Sequence, residues 1–176
     1  MSIKKFRPMD LALIGMMVAI LEAGKFAMNA IPNVEIVSFW IIIFTMYFGK
    51  RVFYAVGVFI LLEGILFGFG IWWVMYLYVW PVLCLIAFAF RKKKSIWLWS
   101  VISGLFGLIF GFLCSFTYMF IGTFGNDFIS AIKYSMSWFV AGLPWDLVHS
   151  VSNFIIIFVL YYPITKVFDK LIVKVK

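Results

Sequence analysis

Apolar residues run along this chain in long unbroken stretches, and the polar breaks between them are short. Runs such as Ile41–Phe44 and Phe154–Leu160 do not alternate with polar residues, so they read as helices buried in an apolar medium and not as barrel strands. The stretches predict six spans, at about 9–30, 34–49, 52–69, 71–90, 95–121 and 143–167. Pro32 and Asn33 end the first. Lys50 and Arg51 separate the second from the third. A tight turn at Gly68-Phe69-Gly70 leads into the fourth, which stops at Arg91–Lys94. Before the sixth span lies a looser segment, 122–142, with Gly125, Asn126, Asp127 and Lys133 and room for a short amphipathic helix.

Composition sharpens the class. Of 176 residues, 66% are hydrophobic and 12% charged, more apolar surface than a soluble domain of this size needs. The expectation is an all-α integral membrane protein, a single six-transmembrane-helix bundle forming one domain over 1–176. Net charge is +8, but its distribution argues against nucleic acid as the partner. Lys4, Lys5 and Arg7, Lys50 and Arg51, Arg91–Lys94, and Lys166, Lys170, Lys174 and Lys176 form four clusters at every second connection. Only Lys25 and Lys133 fall elsewhere. That pattern places both termini in the cytoplasm, with six crossings. Residues 31–35, 68–73 and 122–142 then face outward.

The ionisable groups sort by depth. Glu22, Lys25, Glu35, Glu63, Asp146 and His149 all fall in the outer half, with Asn153; Asp10 stands alone at the inner entrance. Asp146, His149 and Asn153 sit at i, i+3 and i+7, which is one face of a helix. Pro144 suits that helix's first turn. Polar groups at such depth normally face a cavity or another helix. Asp146 and His149 bonding only to each other is the plainer alternative. Glu22 and Lys25, at i and i+3, form either a self-neutralising pair or part of a site. Glu63 has no partner nearby in sequence and must meet one across the bundle, or water, or ligand. The two cysteines, Cys84 and Cys114, lie within apolar spans. One histidine with one acid nearby does not make a metal site. The chain carries neither a G-x-S-x-G elbow nor a Walker loop, so no catalytic role, metal or cofactor is expected.

Gly15, Ala19, Ala23 and Ala27 repeat every four residues in span one and permit close helix approach. They serve either packing inside the bundle or docking of a separate protein. For Gly104, Gly107 and Gly111 in span five, internal packing is the favoured reading. Aromatic residues make up 22% of the chain. Trp97 and Trp99 are placed as interfacial anchors. Trp72, Trp73, Tyr76, Trp138 and Trp145 flank the outer face, as anchors or as surfaces that stack on a flat ligand. Trp40 and Trp80 lie deeper, with either role open.

With these residues in view, the whole chain resembles the S components of energy-coupling factor (ECF) transporters. Ile31-Pro32-Asn33-Val34-Glu35 and Gly142-Leu143-Pro144-Trp145-Asp146, with His149 and Asn153, look like S-component sequences of Gram-positive bacteria. The resemblance implies a bacterial membrane subunit that captures a vitamin or related micronutrient from outside. It implies substrate contacts at Asn33, Glu35, Trp138, Trp145, Asp146, His149 and Asn153; the depth argument adds Glu63. It implies docking through Ala19 and Ala23, extended by Gly15 and Ala27, onto a transmembrane coupling subunit that joins two ATPases. Loop 31–35 would close over the ligand, the subunit would topple, and ATP hydrolysis would reset the complex. Aromatic walls with an acid and an imidazole suit a flat heteroaromatic compound, with a thiol, lipoyl or amino-acid-derived ligand as open alternatives. Rival readings are a self-sufficient carrier with a proton relay through the inner half, an intramembrane enzyme using Asp146, His149 and Glu63, and a ligand-free assembly factor.

Overall fold

The computed structural model describes residues 7–124 and 127–175, with side chains through Leu171. Lys4, Lys5, Gly125, Asn126 and the side chains of Lys174 and Lys176 lie outside it. Six helices run through the described residues: α1 (Pro8–Met28), α2 (Val37–Phe48), α3 (Arg51–Phe67), α4 (Ile71–Phe90), α5 (Ile96–Gly122) and α6 (Phe128–Val175). No strand occurs among them. Four of the helices, α1, α4, α5 and α6, are long and apolar enough to cross a membrane. The outward surface is itself apolar, with Leu61, Ile65, Leu85, Leu105, Val151 and Ile155 all exposed, as a protein solvated by lipid requires. The fold is all-helical, and its long apolar helices fit a multi-pass membrane protein.

At the centre stands α2, which touches each of the other five helices. Its sequence, VSFWIIIFTMYF, has no polar face. A helix apolar all round has to be covered all round, and Ile41, Ile42, Ile43 and Phe44 are fully buried. The one buried hydroxyl in its second half, Thr45, donates back to the Ile41 carbonyl at 2.6 Å, so no polar group is left unmet there.

Polar ties fix the direction of the helices. Arg51, at the start of α3, reaches Asp10, at the start of α1, with Nε–Oδ1 2.8 Å and Nη2–Oδ1 2.7 Å. Lys25, near the end of α1, pairs with Glu63, near the end of α3. Those two helices are therefore parallel. Asn153 Nδ2 donates to Ser38 Oγ at 3.3 Å, and Tyr47 Oη donates to the Thr165 carbonyl at 3.0 Å, so α2 and α6 are parallel too. The basic connections converge at one end: the Lys94 ammonium lies 4.0 Å from the Asp169 carboxylate, and Arg91 crowds Gly49.

One element departs from expectation. The looser segment is helical from Phe128, and α6 continues without a break for 48 residues, roughly 70 Å at helical rise. Asp127 starts it: its carboxylate accepts from Ser130 N at 3.0 Å and from Ser130 Oγ at 2.7 Å. This is an N-terminal cap, and the Ser130 contacts hold the Asp127 carboxyl below the usual range. Pro144 thus sits inside the helix and not in its first turn. Pro144 lies on the exposed side of the helix. Trp99 also departs: it is fully buried, donating Nε1–H to the Lys93 carbonyl at 2.9 Å, so it locks a helix start and is not an interfacial anchor. Trp97, at 62% exposure, has the surface position an anchor needs.

Candidate ligand-binding site

The buried positions of α6 fall at Ala131, Ser135, Asp146, His149, Asn153, Ile157 and Tyr161. These steps of three, four and their multiples define one face. Asp146, His149 and Asn153 share it and are buried to within 5% of full cover. They reach that depth because α5 presents glycine to them. A Cβ on Gly107 would lie 2.8 Å from the His149 carbonyl carbon, and one on Gly111 would run into the Asp146 carboxylate. The expected internal-packing role of Gly104, Gly107 and Gly111 is therefore what the fold uses. Gly111 N–H donates to Asp146 Oδ1 at 3.0 Å. Asp146 Oδ2 is buried with no hydrogen-bond partner among the described residues.

The loop between α1 and α2 crosses this face. Asn33 takes a left-handed conformation, φ 57°, which asparagine tolerates better than most residues. Its carbonyl accepts from Ser152 Oγ at 3.3 Å. Two residues on, Glu35 Oε1 lies 3.1 Å from His149 Nε2, while Glu35 Oε2 accepts from Ser38 N at 2.8 Å. The plainer alternative of an Asp146–His149 bond is not what the structure has: His149 turns to the loop. Asn153 completes the chain through Ser38. Glu35 belongs to this loop, two residues before α2 begins.

Two hollows open on either side of the loop. The smaller, about 220 Å³, lies among Asn33, Glu35 and His149, with Lys25, Trp80 and Phe110 closing it. The larger, about 480 Å³, lies among Asn33, Trp138, Trp145 and Asp146, with Trp72, Cys114 and Gly111. Pro32, Asn33, Tyr76 and Phe110 line both, so the hollows share a wall. The larger volume is within the range of about 300–1,000 Å³ common for small-molecule sites. Phe110 stands edge-on to His149, centroids 4.8 Å apart. Trp80 Nε1 is buried and lacks a hydrogen-bond partner among the described residues.

No family model matches this chain, no curated protein matches it, and no solved structure matches it.

Of the eight residues singled out in sequence, Asn33, Glu35, Trp138, Trp145, Asp146 and His149 line a hollow. Asn153 does not; it braces Ser38 and, through it, Glu35. Glu63 does not either. It is fully buried and pairs with Lys25, whose ammonium also lies 5.1–5.6 Å from the ring centroids of Phe67, Trp72 and Tyr76. The partner of Lys25 is thus Glu63 on α3 and not Glu22, whose two carboxylate oxygens are buried without a hydrogen-bond partner among the described residues. Phe110 and the joint role of Trp72, Tyr76 and Trp80 escaped the sequence reading. Those three α4 rings repeat every four residues and stack edge to face at 5.3 and 5.4 Å. That spacing was the available signal.

Proposed function

We propose that this protein is the substrate-capturing S component of an ECF-type importer in a bacterial plasma membrane. Six crossings with both termini in the cytoplasm would put the loop and its two hollows outside and the basic end inside. The observation that carries the reading is the paired cavity under residues 32–35, at the end opposite the basic connections, with a buried carboxylate oxygen left unmet on its wall. An unmet polar atom at that depth costs free energy unless a ligand meets it.

In this reading a vitamin-like solute enters from outside, and loop 31–35 closes on it through the Glu35–His149 and Asn33–Ser152 contacts. Gly15, Ala19, Ala23 and Ala27 support the second half of the proposal. All four are exposed on α1, and no atom approaches within 4 Å of where a Gly15 Cβ would stand. They serve as the docking face for a transmembrane coupling subunit joined to two ATPases, so no ATP is hydrolysed by this chain. Mass spectrometry of small molecules released from the purified protein tests the capture step. A single stoichiometric solute is the expected result. A protein that retains none after expression in rich medium, and is stabilised by none of a panel of vitamins, sinks the proposal.

A further inference from the structure

Building on the capture reading, we propose that the larger hollow takes an organic cation, an aromatic or heteroaromatic ring carrying a positively charged nitrogen that pairs with Asp146. The hollow has one carboxylate and no lysine, arginine or histidine on its wall. The basic groups nearest in the fold are committed elsewhere. His149 is turned to Glu35 in the neighbouring hollow, with the Phe110 ring against it. Lys25 lines that same smaller hollow and is paired with Glu63. Asp146 is 5% exposed, and Gly111 N–H meets only one of its two oxygens. A carboxylate held that way in an apolar setting is short of a counter-charge.

The rest of the wall has the matching chemistry. Trp72, Tyr76, Phe110, Trp138 and Trp145 supply five aromatic rings around the same hollow. The faces of such rings attract cations, and the attraction is strongest where water is excluded. An anionic solute would meet like charge at Asp146 and the negative faces of the rings. A neutral ring would gain the apolar contact and leave the second oxygen of Asp146 unmet.

Three indoles of nearly equal size separate charge from shape: tryptamine, a cation at neutral pH, tryptophol, its neutral counterpart, and indole-3-acetate, an anion. Equilibrium dialysis against the purified full chain is expected to show tryptamine bound about tenfold or more tighter than tryptophol, with indole-3-acetate excluded. Asp146→Asn keeps an acceptor for Gly111 N–H and removes the charge; it is expected to abolish the preference for tryptamine while tryptophol binding persists. Equal binding of tryptophol or indole-3-acetate, no binding of any of the three, or an unchanged preference in D146N overturns the cation assignment. The solute released from the purified protein separates this from the capture reading. A cationic solute supports both. A neutral or anionic one overturns the cation assignment and leaves capture standing. No retained solute together with no bound indole overturns both.

Discussion

Lys25 sits between two acids, and the bundle chooses the more distant one in sequence. Glu22 is three residues away on the same helix, yet the ammonium reaches across to Glu63, which is fully buried on α3. Glu63 is fully enclosed, so the pair neutralises a carboxylate that would otherwise stand as an isolated buried charge. Lys25→Met should therefore destabilise by about 3–5 kcal/mol, the usual cost of orphaning a buried charge. Lys25→Met combined with Glu63→Met should recover most of that loss. Thermal unfolding in detergent of the two single variants and the double variant tests this, and simple additivity of the two losses would remove the coupling. At the loop, the Glu35–His149 contact joins α6 to residues 29–36 beside the longer Ser152–Asn33 hydrogen bond. Hydrogen bonds involving a charged group contribute about 1.5–3 kcal/mol, so His149→Ala should speed release of bound solute by about tenfold or more. Release rates that match the parent protein would show the loop is held by something else. The sequence exposed His149 and Asp146 because three polar residues at helical spacing stand out in a hydrocarbon run. It did not expose the Lys25–Glu63 pair, because a separation of 38 residues hides which acid wins.

Among the helices, legibility followed periodicity. The ends of α4 and α5 lie within a residue of where the apolar runs and basic breaks place them. The first four turns of α6, from Phe128 to Gly142, are obscured in the sequence by the polar residues of 122–142. The helical signal was nevertheless present, since Ala131, Ser135, Trp138 and Gly142 extend the spacing of Asp146, His149 and Asn153. Proline belongs in the first turn of a soluble helix, whereas apolar membrane-type helices tolerate it in their interior, as α6 does at Pro144. The α1 small-residue face had two readings, and its exposure removes packing within this bundle as the explanation. A helix face of small residues admits another helix at short distance, and a tryptophan there would hold a partner away without touching either hollow. Ala19→Trp should leave solute binding unchanged while abolishing uptake and co-purification with coupling subunits. Normal yield of the assembled complex from this variant would sink the docking role of α1.

On the scale of the whole molecule, the two ends of the bundle are chemically distinct. One gathers Arg51, Arg91, Lys94 and Asp169, and the other holds the loop, the hollows and the ends of α1 and α3. Helix directions settle this polarity within the protein: α1 parallel to α3, α2 parallel to α6. They do not by themselves say which end faces the cytosol. That step rests on lysine and arginine resisting translocation, which keeps basic connections on the inner side. The orientation is open to a direct check, because both native cysteines are buried and can be replaced before a reporter is introduced. Ala30→Cys, exposed beside the hollows, and Lys92→Cys, exposed in the basic connection, mark the two ends. A membrane-impermeant maleimide should label position 30 in intact cells and position 92 only after the membrane is opened. The reverse pattern would turn the hollows toward the cytosol. Capture from outside would then be impossible for this chain, even if Asp146 and its aromatic walls still bound a solute, and the protein would have to be reconsidered as an exporter or a sensor of internal solute.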